Sequence, residues 1–127
     1  EEVLSWLESH LCLVPMFPRR PGTSVVEGKE ITDEKVKALT DAAARCWDAI
    51  LARDLDGFAA AYRDSFAAQI AMFPGMMAEG VQDYIDAWRG RSLAWKMTGA
   101  GGGGYLALVV DSLPDGAIPV KIRRYND

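Results

Sequence analysis

The sequence predicts an α+β domain, a four-stranded and mainly antiparallel sheet packed on one face by about three helices. Between residues 32 and 89 apolar side chains recur at spacings of three and four, the period of amphipathic helices. Beyond residue 93 that period gives way to short apolar runs and strict alternation, the marks of strands. The helical segments are grouped rather than interleaved with the strands, which favours α+β over a parallel α/β sheet.

Taken in order, HLCLVPMF at residues 10 to 17 has the length and flanks of a strand. Pro15 cannot donate to a ladder and so predicts an edge position or a bulge. Residues 18 to 30, PRRPGTSVVEGKE, carry loop chemistry, with room for a short extended piece at Ser24 to Glu27. Thr32 is a helix N-cap, with Asp33 and Glu34 favourably placed in the first turn. Val36, Leu39, Ala43, Trp47 and Ile50 then mark one face of a helix ending near Arg53. Asp54 caps a second helix with the stripe Phe58, Tyr62, Phe66, Ile70 and Phe73, stopped by Pro74-Gly75. That aromatic stripe reads as core. A third, shorter helix spans 80 to 89 through Val81, Tyr84, Ile85 and Trp88. LAWKM (93 to 97) and YLALVV (105 to 110) are strands, the second apolar enough to be buried on both faces. LPDG at 113 to 116 supplies a turn. Ile118, Val120 and Ile122 then alternate with Pro119, Lys121 and Arg123, as in a half-buried strand with a wet outer face.

A chain of 127 residues fits one domain with a core of its own. The net charge of −4 argues against a general nucleic-acid binder, which needs a basic face to neutralise phosphates. Arg19-Arg20 and the KIRR stretch at 121 to 124 are local exceptions, and both read as solvated edges. Cys12 and Cys46 lack CxxC spacing and sit among apolar residues, so they read as buried reduced thiols. The single histidine, His10, excludes a His-rich metal site. No apolar run approaches the ~18–20 residues of a membrane span, and no secretory signal is present, so no membrane partner and a cytoplasmic location are expected.

The least ordinary feature is residues 99 to 104, where five of six positions are glycine and the sixth is Ala100. Each glycine costs roughly 0.5–1 kcal/mol in a regular element. The run satisfies G-x-G-x-x-G through Gly99, Gly101 and Gly104, but a dinucleotide fold needs a helix to open there and an acidic residue about 20 positions on. A strand follows instead, and position 124 is arginine. No Gly-Lys-Ser/Thr closes the run, so a Walker A loop fails too. Two readings stay open: a wide turn between two strands, or a bare backbone whose N–H groups lie against an anion. Two glycines suffice for a turn, and five point to close approach by a ligand. Lys96 and Thr98 supply a cation and a hydroxyl beside it, although Lys96 also fits the polar side of a plain strand. His10, Arg19 and Arg20 could reach an anionic substrate, but nothing in their spacing requires it.

The run Lys96-Met97-Thr98-Gly99-Ala100-Gly101-Gly102-Gly103-Gly104, followed by YLALVV, closely resembles the third signature motif of the GHMP kinases, the galactokinase, homoserine, mevalonate and phosphomevalonate kinase superfamily. The tail ending in KIRR looks most like the branch with L-fucose kinases and heptose 7-phosphate kinases. The resemblance covers essentially the whole chain and implies a ferredoxin-like C-terminal kinase domain over residues 1 to 127. It implies transfer of the γ-phosphoryl of ATP to a sugar or sugar phosphate, with Mg²⁺. Lys96, Thr98 and Gly99, Ala100, Gly101, Gly102, Gly103 and Gly104 would bind substrate or phosphate. The family's P-x-x-x-G-L-G-S-S loop and its acidic catalytic residue belong to an N-terminal domain, and this sequence contains neither. The resemblance therefore implies a piece of a longer protein, starting at Glu1 rather than methionine, with no catalytic residue of its own and no expected activity alone. Its partners would be a sugar substrate and its own N-terminal domain, and the bared interface would allow self-association. The competing expectation is a non-catalytic small-molecule-binding or regulatory α+β module, and a weaker one is an interaction module using exposed apolar surface.

Overall fold

The computed structural model describes residues 1–17, 29–98 and 104–124. A helix, α1 (Glu2–His10), runs directly into strand β1 (Leu11–Pro15). Helices α2 (Asp33–Ala52) and α3 (Leu55–Met72) follow, then a 3-10 turn (Pro74–Met76) and α4 (Val81–Arg89). Strands β2 (Ala94–Met97), β3 (Tyr105–Val109) and β4 (Ile118–Pro119) complete the chain. The result is the expected α+β class, with a four-stranded antiparallel sheet in the order β2-β3-β1-β4 and helices packed against it. No described helix is long and apolar enough to cross a membrane.

Local chemistry sets the helix ends. Thr32 Oγ1 accepts from the Lys35 N–H at 3.2 Å, and an Asp54 carboxylate oxygen accepts from the Gly57 N–H at 3.1 Å. Each satisfies a donor that the first turn would otherwise leave orphaned. Arg53 closes α2 in the left-handed region (φ 53°), its N–H bonded to the Ala49 and Ile50 carbonyls. The chain therefore reverses within two residues, and α2 and α3 lie along one another.

Strand alternation divides the core in two. Ala94, Val109 and Leu11 stand in one row of the sheet, and that face joins Ala49 of α2 and Phe58 and Ala59 of α3. Cys12, Val14, Met97, Leu106 and Leu108 point the other way, toward Met76, Val81 and Ile85. α3 serves both clusters, because Phe66 belongs to the second. Leu106 through Val110 are all buried, so β3 is covered on both faces as its composition predicts.

Two expectations about the strands need correction. β1 is not an edge strand, since it lies between β3 and β4. Val110 donates to the His10 carbonyl and Met16 to the Gly104 carbonyl, so even-numbered positions of this strand bond toward β3. Pro15 therefore turns its missing donor toward β4, whose pairing ends at Leu13. No ladder bond is lost there.

The last strand does not reach Ile122, because β4 stops at Pro119. The tail instead crosses to α1. The Ile122 N–H donates to Glu8 Oε2 at 2.6 Å, and the Arg124 guanidinium grips both Glu8 oxygens at 2.7 and 2.9 Å. Arg124 Nε adds a bond to Glu1 at 3.1 Å. Arg124 is thus a tie between the two ends of the chain rather than part of a solvated edge, with only 17% of its side chain exposed.

The Arg124 guanidinium, and after it the Ile122 N–H, hold the Glu8 carboxyl down to about 2, against about 4.3 for a free side chain. A carboxyl lowered by folding stabilises the native state fully above its unfolded value and loses that contribution as pH falls through its folded one. Urea unfolding midpoints are expected to drop between about pH 5 and about pH 2, and Glu8→Gln should flatten that drop. An identical pH slope in both proteins would show that Glu8 is not tied in the native state.

Candidate functional site

The glycine run Gly99–Gly103 lies outside the described residues, as do Arg19 and Arg20, but the points where it leaves the sheet are defined. It joins neighbouring antiparallel strands. On one side the Thr98 N–H and hydroxyl both donate to the Tyr105 carbonyl, at 3.1 and 3.2 Å. On the other, the Gly104 N–H donates to the Phe17 carbonyl at 2.7 Å, while its own carbonyl accepts from Met16 at 2.8 Å. Phe17 is also where the chain enters the segment carrying Arg19 and Arg20. The glycine run and that segment therefore start from hydrogen-bonded neighbours at one end of the sheet.

Gly104 has φ 86°, a conformation that side chains disfavour, and a Cβ added there would meet nothing within 4 Å. The glycine requirement is therefore one of backbone and not of space. Gly104→Ala is expected to cost about 1 kcal/mol in urea unfolding, and Gly104→Asn less, because asparagine tolerates the left-handed region. Equal stability of wild type and Gly104→Ala would mean that the turn relaxes to negative φ.

His10 is not brought to this end. It sits where α1 meets β1, its Nδ1 2.9 Å from the Val110 carbonyl and its ring 5.0 Å from that of Trp6. Val110 is six residues beyond Gly104 along an extended chain, roughly 20 Å away. His10 is therefore a structural residue at the far end of the sheet and does not join the loop.

Lys96 is placed by the helix above it as well as by its strand. It shares a sheet face with Ala94, the face covered by α2 and α3, and its Nζ donates to Ser65 Oγ at 2.8 Å. Ser65 is the one described polar residue in the core, 5% exposed. Lys96 Nζ opens onto a cleft of about 360 Å³ floored by Leu11, with Leu7 of α1 and Cys46 and Trp47 of α2 on one side. Phe58, Tyr62 and Ser65 of α3 form the other side. So Thr98 and Gly104 stand together at the stems of the loop, while the Lys96 ammonium lies beneath α3 on Ser65.

Burial governs the electrostatics of this cleft. It lowers Lys96 below the ordinary lysine range, with Cys46 a weaker opposing influence. It pushes the Cys46 thiol up, partly offset by Lys96 and Arg45, and it pushes the Tyr62 phenol up strongly. Thiol and phenol therefore stay protonated near neutral pH, and among the described residues no negative charge of the cleft balances Lys96. Cys12 and Cys46 are both free; Cys12 is buried as expected, whereas Cys46 is only partly so.

Sequence reasoning missed Ser65, Cys46 and Tyr62 as members of one constellation. The signal was present in part, since Ser65 lies three residues after Tyr62, beside the Phe58, Tyr62, Phe66 stripe of α3. Its partner lies 31 residues away on a strand, and no periodicity links the two. Among the described residues no group of three or more His, Cys, Asp or Glu is placed to hold a metal, so no Mg²⁺ step is assigned to them. Comparison with protein-family profiles and with curated protein sequences gives no significant match.

Proposed function

We propose that the chain is the C-terminal domain of an ATP-dependent small-molecule kinase acting on a sugar or sugar phosphate. In this reading Thr98 and Gly99 through Gly104 form the loop that lines the phosphate and substrate cleft. The observation that carries it is the K-x-T-G-A-G-G-G-G run joined to a strand that is buried from Leu106 onward. Its support from the fold is positional. The run connects two paired strands, and both its stems are pinned by backbone hydrogen bonds to a rigid sheet. A loop so anchored can hold bare N–H groups in fixed directions, which suits a reaction governed by positioning and charge stabilisation.

ATP and Mg²⁺ would be bound mainly by an N-terminal domain, which would also supply the catalytic carboxylate. This chain would contribute one wall of the cleft, and Lys96 could join that wall only by leaving Ser65. The test is to express the chain with the coding sequence upstream of Glu1 and to screen monosaccharides and sugar phosphates for ATP consumption. Turnover with a sugar supports the reading. Turnover with mevalonate or homoserine moves it to another branch of the family. An upstream region with no glycine- and serine-rich ATP loop and no turnover would favour a non-catalytic module.

A further inference from the structure

We infer that the cleft bounded by α1, α2, α3 and the sheet is a binding site for a small apolar monocarboxylate, its carboxylate paired with Lys96. The inference stands apart from the kinase reading, because it concerns the helical face of the sheet and not the glycine loop.

Three observations carry it. The cleft of about 360 Å³ lies at the small end of the range for ligand sites, roughly 300–1,000 Å³, and is walled chiefly by apolar side chains. Lys96 has three N–H donors, and one is accounted for by Ser65 Oγ. Among the described residues no carboxylate lies within 4.0 Å of its ammonium, although seven ion pairs form elsewhere. A half-buried cation with a neutral partner is poorly compensated, and an arriving anion would pair with it while favouring its charged form. Beside it, Trp47 is 62% exposed at the cleft wall, an aromatic surface that the fold itself leaves uncovered. A cation at the floor and an apolar wall reaching solvent fit a ligand that is charged at one end and apolar along its body. A sugar phosphate has the opposite distribution of polarity.

The probe is octanoate, with octanamide as an uncharged molecule of the same length, each titrated into the 127-residue chain by calorimetry. Octanoate is expected to bind at least about 10-fold more tightly than octanamide. Lys96→Met, matched in length but neutral, should abolish that preference, and Lys96→Arg should keep it. Ala43→Phe, which narrows the cleft from an exposed position of α2, should weaken both probes and serves as a second arm should Lys96→Met not fold. Equal binding of the two probes to wild type would overturn the assignment. So would no binding of either, a preference that survives Lys96→Met, or binding that Ala43→Phe leaves unchanged.

Discussion

On the proposed kinase reading, Gly101→Val and Gly102→Val are each expected to leave the 127-residue chain folded and to lower phosphoryl transfer by the protein joined to its upstream region at least about 100-fold. The reason lies in what a backbone can offer a phosphate. A β-branched side chain closes off positive φ and stands between the N–H groups and any anion they face. Misplacement by about 1 Å at a reacting centre is enough for a loss of that order. Folding should survive because the core near the loop is formed by Met97 and by Leu106 through Val110, all buried and all outside the run. The stems are held by Thr98 on Tyr105 and by Gly104 on Phe17, bonds that neither substitution touches. Circular dichroism and urea unfolding of the chain, set beside steady-state kinetics of the assembled protein, separate the two effects. Unfolding of both variants would make the run a structural turn, and full activity would remove it from the cleft.

How much of this was legible depended on how local the cause was. The caps of α2 and α3 were readable at Thr32 and Asp54, because each acts on an N–H three residues away. α1 was not anticipated. It is nine residues long, has no side-chain cap, and is held by distant partners, Phe58 against Trp6 and Arg124 against Glu8. Helices that short draw their stability from tertiary packing more than from propensity. The final strand was overextended for the converse reason. Ile118, Val120 and Ile122 alternate as a strand should, yet Glu8 captures the Ile122 N–H that a longer ladder would have used. Lys96 shows the same limit within the candidate site. Alternation says that it points away from Met97, but only α3 determines that this side is roofed and that Ser65 waits there.

Leu108→Ala is expected to destabilise the chain by about 3 kcal/mol, within the usual ~2–5 kcal/mol for a buried leucine. Leu108 is fully buried, pairs across the sheet with Cys12 on one side and Trp95 on the other, and shares a cluster with Met76, Val81 and Ile85. Truncation removes three buried carbons and leaves a void that can close only if sheet and α4 shift together. The other face of β3 offers no relief, because Ala107 and Val109 are buried too. Domains of this size have total stabilities of roughly 5–15 kcal/mol, so the loss is a large share of the whole. Ile118→Ala provides the internal comparison. It removes a comparable side chain from β4, where Ile118 is 43% exposed, and should cost less than about 1 kcal/mol. Urea unfolding with unchanged m-values measures both. Equal costs at the two positions would contradict a core centred on β3, and with it the rigid base from which the glycine loop is proposed to work.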